Sequence, residues 1–160
     1  MSGTPPATRS SEPPHALSEL TEILTADYRR FPQQQTFDIY ADDVLFVDPL
    51  NRFRGVERYQ EMISWMDRWF LDVRLELHDI RAELDESGGD RIRIAWTLHW
   101  RAPLPWKPAM AIAGWSELGV NAHGKIQSHT DYWRTPKWDV LKQVVFGYSP
   151  ASASSRAEDS

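Results

Sequence analysis

The sequence predicts an α+β fold in which early helices pack on a curved, mostly antiparallel β-sheet. Three observations carry this. Two long segments of helical apolar period come first. The period then changes from 3.6 to 2 and holds through four strand-length segments. The longest of these slips its alternation by one residue, the mark of a β-bulge, and bulges bend strands.

A first helix is expected from about His15 to Phe31. Leu17, Leu20, Leu24, Tyr28 and Phe31 form one stripe at spacings of three and four. Pro14 suits the first turn, and Pro32 ends the helix. A short helical turn is expected near Thr36 to Ala41. Val44 to Asp48 reads as a short strand ended by Pro49. Gly55 opens a second long helix to about Trp69, with Val56, Tyr59, Met62, Ile63, Met66 and Phe70 on its buried face.

Leu71, Val73, Leu75 and Leu77 then alternate with polar residues. After His78 the phase slips, and Ile80, Ala82 and Leu84 continue it. Ser87-Gly88-Gly89-Asp90 is a turn. Ile92, Ile94, Trp96, Leu98 and Trp100 alternate without a break. The three prolines of Ala102 to Pro108 make a loop. A third strand covers about Met110 to Val120, a turn follows at Asn121 to Gly124, and a fourth strand runs Lys125 to Arg134. A short helix from Lys137 to Val145 closes the order. Hairpin-length connections imply antiparallel pairing of these four strands. Helices placed early and strands late imply helices on one face of the sheet. The domain is expected over residues 15–148, with disordered tails at 1–14 and 149–160, where apolar residues are too sparse to offset chain entropy.

A chain of 160 residues can bury a core without staples. It has no cysteine, which excludes disulfides, thiolate zinc sites and a cysteine nucleophile. Its net charge of -5 argues against nucleic-acid binding. No stretch approaches the roughly 20 apolar residues of a membrane-spanning helix. The N-terminus shows no charged-then-apolar secretory layout. The expected location is cytoplasmic, or an organelle stroma or matrix in a eukaryotic host.

Tyr40 to Gln60 (YADDVLFVDPLNRFRGVERYQ), Trp69 to Ile80 (WFLDVRLELHDI) and Gly114 to Gln143 (GWSELGVNAHGKIQSHTDYWRTPKWDVLKQ) carry a family resemblance. With this element order they resemble the NTF2-like superfamily of α+β cones, and within it the uncharacterised DUF2358 branch. The ending, a turn glycine and a strand finishing in Asp131-Tyr132-Trp133, is more distantly similar to SnoaL-like proteins. The resemblance implies a cone with an internal pocket. It implies no single chemistry, because this fold hosts enzymes, carriers and interaction modules alike.

Candidate residues follow. All eight tryptophans lie between Trp65 and Trp138. Trp65, Trp69, Trp96, Trp100, Trp115 and Trp133 are candidates for an aromatic ligand pocket, or else plain core. Asp48 is a candidate proton acceptor, in the place where the resemblance puts the acid of cone-shaped isomerases, or else a turn-former before Pro49. His129 and Asp131 lie two apart on one strand and share a face, so they pair in the pocket if that face is concave. His99 and His78 are weaker candidates. No nucleotide-cofactor motif or metal-ligand spacing is present, so no cofactor and no metal are expected. Two functions are open: a non-catalytic module that binds an apolar or aromatic small molecule or serves assembly, and a small cofactor-independent acid–base enzyme, an isomerase or hydratase/hydrolase. A homodimer through paired sheet faces is compatible with both.

Overall fold

The computed structural model describes residues 17–149. The expected helix start at His15 and nearly all of both tails lie outside the described residues. The elements are α1 (Leu17–Arg30), β1 (Tyr40–Val47), β2 (Arg52–Arg54), α2 (Val56–Trp69), β3 (Leu71–Leu84), β4 (Asp90–Arg101), β5 (Ala109–Val120), β6 (Ile126–Trp133) and α3 (Lys137–Phe146). The strands form a single six-stranded sheet in the order β2-β1-β6-β5-β4-β3.

The β3 to β6 meander is antiparallel throughout. Its bulge falls where the phase slips: Leu77 pairs with Trp96 and Asp79 with Ala95, leaving His78 as the extra residue. Both helical stripes face inward. Leu20, Leu24 and Tyr28 of α1 and Tyr59 and Ile63 of α2 are buried. Helix α1 packs across β3 and β4, α2 against β1, and α3 against β5. Gly55 caps the start of α2 at φ 115, a backbone angle that favours glycine, while its N–H donates to Val44 O at 3.0 Å.

Two expectations fail. No helical turn forms at Thr36 to Ala41; a turn at Asp38–Ile39 leads straight into β1, which starts at Tyr40. Tyr40, Val44 and Phe46 are the buried residues of that strand. Two adjacent aspartates, Asp42 and Asp43, and an irregularity in the pairing between Tyr40 and Leu45 obscure its period. Beside its short partner β2, its neighbour is β6, far along the chain and parallel to it, so local pattern announces only the second half of the strand, from Val44. The second is unbroken alternation along the fourth strand: Ile126, three residues before His129, is fully buried on the same side. A pairing irregularity beside Gly119 and Val120 inserts Gln127 and resets the phase.

The inward phase of β5 is Met110, Ile112, Gly114, Ser116, Leu118 and Val120. Gly114 is required there. A Cβ on it would stand 2.2 Å from the carbonyl oxygen of Tyr132 and 3.1 Å from the Trp96 ring. Its absence lets Trp96 lie across the strand.

Candidate functional site

The concave face of the sheet and the two long helices enclose a cavity of about 600 Å³. That lies within the roughly 300–1,000 Å³ range of small-molecule sites. Its wall is largely aromatic and aliphatic: Phe46, Tyr59, Met66, Trp96, Trp100 and Trp133 among others. Leu50 and Trp65 also line it yet are exposed, so they mark its mouth. The stacking of Phe70 on Trp100, with centroids 4.9 Å apart and planes 8° from parallel, stiffens one side.

One polar corner interrupts this wall. Ser116 and Asp131 are direct cross-strand partners on β5 and β6. The Ser116 hydroxyl donates to Asp131 Oδ1 at 2.5 Å and accepts from Trp96 Nε1 at 2.8 Å and Tyr28 OH at 3.3 Å. One donor and two acceptor positions are thereby filled, which fixes the direction of every proton. His129 Nε2 lies 2.9 Å from the same Oδ1. In the tautomer that donates Nε2–H to this oxygen, Nδ1 is the nitrogen turned away from Asp131. Nδ1 is buried without a partner, and the ring packs against Phe46 and Tyr59 at 5.2 and 5.5 Å. Among the described residues both hydrogen bonds at Asp131 go to Oδ1, and Asp131 lines the cavity. Burial pushes the phenols of Tyr28, Tyr40 and Tyr59 above the usual tyrosine range, and for Tyr28 the Asp131 charge is the next cause.

Asp48, His129 and Asp131 all line the one cavity, but only His129 and Asp131 are joined. Asp48 Oδ1 accepts the backbone N–H of Leu50 at 2.7 Å and of Asn51 at 2.6 Å, and Asn51 Nδ2 spans both oxygens at 3.1 Å. That is turn chemistry. Trp65, Trp96, Trp100 and Trp133 line the cavity; Trp69 and Trp115 do not. Trp69 faces outward from the end of α2, under the Arg68 guanidinium at 5.6 Å. Trp115 falls in the outward phase of β5. It stacks on Tyr132 at 5.0 Å between the guanidinium groups of Arg93 and Arg134, at 5.3 and 5.4 Å. His99 and His78 are also absent from the cavity wall. His99 Nε2 lies 3.5 Å from Glu76 Oε1, and burial holds its imidazole below the usual range. His78 Nε2 meets Thr97 Oγ1 at 2.7 Å.

Ser116 escaped the sequence reading, although a signal was present. It is the one hydroxyl in the apolar phase of β5, between Ile112 and Leu118. Among the described residues, no group of three or more His, Asp or Glu side chains is placed to hold a metal ion, and no helix is long and apolar enough to cross a membrane.

The fold is shared with solved structures of low sequence identity. An LEH-like epoxide hydrolase of M. tuberculosis is 18% identical, with a TM-score of 0.60 over 81% of this chain and 92% of that one. A hypothetical protein with a ketosteroid isomerase-like fold from Catenulispora acidiphila, in complex with trimethylamine, is 19% identical, with a TM-score of 0.58 over 76% and 91%. An NTF2-like protein of unknown function from an Exiguobacterium species is 14% identical, with a TM-score of 0.55 over 75% and 98%. No curated protein matches the sequence. Residues 18–129 match the family of uncharacterized conserved proteins designated DUF2358, and the chain belongs to that family, with an NTF2-like fold.

Proposed function

We propose that the cavity binds a small, mainly apolar molecule carrying one neutral or cationic polar group, and that Asp131 receives that group. One observation carries the reading: an aromatic wall converges on a single prepared carboxylate. The carboxylates of the wall are Asp48 and Asp131, and among the described residues neither lysine nor arginine lines it. A ligand carboxylate or phosphate would lose its water and meet like charge there. A hydroxyl or amine would gain a charge-assisted hydrogen bond, and an ammonium would add attraction to the tryptophan faces. The Catenulispora acidiphila protein of the same fold was solved in complex with trimethylamine, a small amine, which supports the class. Native mass spectrometry of protein purified from its own host is the test. A bound organic species, neutral or cationic and released by denaturation, supports the reading. An empty cavity, or a bound fatty acid or phosphate ester, overturns it.

A second reading has a specific observation behind it. Asp131 lines the cavity, and Oδ1 takes both hydrogen bonds that the described residues make to this carboxylate. A carboxylate so oriented in an apolar pocket is suited to proton transfer with a bound substrate. On this reading Ser116 and His129 are positioning residues, and Asp131→Asn abolishes turnover while leaving binding within about tenfold. Full turnover in Asp131→Asn would remove it.

A further inference from the structure

Helix α3 is built the wrong way round for a helix that only packs on a sheet. Its large apolar residues point outward: Trp138, Leu141, Val145 and Phe146 are 73%, 55%, 65% and 84% exposed. Its inner face is modest: half-buried Val140 and Val144, and Gln143, whose amide bonds the backbone of Ala111 in both directions at 2.8 and 3.0 Å. Gln143 anchors the helix through polar bonds to the β5 backbone, so the apolar residues are free to face away.

At about 100° per residue, the exposed side chains fall across one half of the helix circumference in the order Lys137, Leu141, Val145, Trp138, Lys142, Phe146. Apolar residues hold the centre, a lysine sits toward each side, and no acidic side chain belongs to this exposed set. Trp106 extends the patch, because its Nε1 donates to Val144 O at 2.8 Å while its ring is 57% exposed. Lys107 follows it in the chain.

We infer that this face docks on an anionic lipid surface. Tryptophan, leucine, valine and phenylalanine between lysines is the composition of a helix lying in a membrane interface, with rings at headgroup level and ammonium groups reaching the phosphates. The charge decides among occupants. The chain as a whole is -5, yet the exposed set on this face carries two lysines, with half-buried Asp139 at its border, so an anionic surface is drawn to this side more than to the rest. A second copy fits less well. The helix is about 15 Å long, which offers far less than the roughly 800 Å² per partner of a stable interface. Docking stands whatever the cavity holds. The same helix reaches the cavity through Val140, so the two surfaces are back to back.

The absence of cysteine allows a direct test on the full chain. An environment-sensitive dye is attached at Leu141→Cys and, in a separate protein, at Glu86→Cys in the β3–β4 turn. Vesicles of phosphatidylcholine alone, and with about a third phosphatidylglycerol, are titrated at low salt. The dye at position 141 is expected to shift to the blue with the anionic vesicles and weakly with the neutral ones, while the dye at 86 does not respond. The Lys137→Gln/Lys142→Gln pair, which leaves the apolar contacts untouched, is expected to weaken partitioning about fivefold per lysine. Trp138→Ser is expected to weaken it at least tenfold, with the circular dichroism unchanged. No response to anionic vesicles, an equal response at both positions, or indifference to loss of the lysines would overturn the proposal. So would a concentration-dependent dimer abolished by Trp138→Ser, which would make the patch a self-interface.

Discussion

At the scale of single residues, Ser116 holds the polar corner together. It sits 1% exposed in an apolar phase and joins Trp96, Tyr28 and Asp131 at once. Ser116→Ala leaves the indole N–H of Trp96 without its acceptor and takes a donor from Asp131. The expected loss is about 1–3 kcal/mol, read from urea denaturation. Ser116→Thr is no remedy, because its extra methyl must fit a site closed by the Trp96 ring. The tyrosines give a pH prediction. Burial raises the pKa values of Tyr28, Tyr40 and Tyr59 in the folded chain. An unfolded tyrosine ionises near pH 10. The folded state therefore binds more protons above that pH, and stability present below about pH 10 is lost as pH rises beyond it. Phenolate absorbance should show three of the five tyrosines ionising only together with unfolding. Ionisation of all five before the far-ultraviolet signal changes would contradict their burial.

At the scale of elements, the periodic parts of the chain were legible and the non-local parts were not. The β3 bulge at His78 showed as a slip of phase between Leu77 and Ile80, because alternation is a local property. The short strand β2 and the first half of β1 did not show, because β1 lies beside β6 through a parallel pairing that only the assembled sheet supplies. Asp27 is a similar case. On paper it is one more polar residue of a helix. In the fold it is 3% exposed, bonds Arg30 Nη2 at 2.5 Å, and accepts the backbone N–H and the hydroxyl of Thr36 at 2.9 Å. It ties the end of α1 to the segment entering β1. Asp27→Ala strands these donors and should cost about 2–3 kcal/mol in chemical denaturation. Gly114→Ala tests the close approach of β5 and β6. Its methyl meets backbone carbonyl and the Trp96 ring, so a loss of about 1–3 kcal/mol is expected. A neutral result would mean that the strands separate freely there.

At the scale of the whole molecule, the sheet curves around an aromatic cavity, α1 and α2 close it, and the Ser116–Asp131–His129 corner interrupts its apolar wall. The candidate site was half legible. Parity put His129, Asp131 and Trp133 on one face, and the structure makes that face concave. Parity along β5 puts Trp115 in the phase opposite Ser116, and that phase faces outward. The choice of head group turns on Asp131, since Asp48 is engaged by Leu50 and Asn51 and neither lysine nor arginine lines the space among the described residues. Equilibrium binding of three matched probes, a naphthol, a naphthyl trimethylammonium and a naphthoate, followed by quenching of tryptophan emission, tests this most directly. The naphthol and the ammonium are expected to bind at least about tenfold more tightly than the naphthoate, with the difference removed in Asp131→Asn. Naphthoate binding as tightly as the others, or a preference untouched by Asp131→Asn, would contradict it.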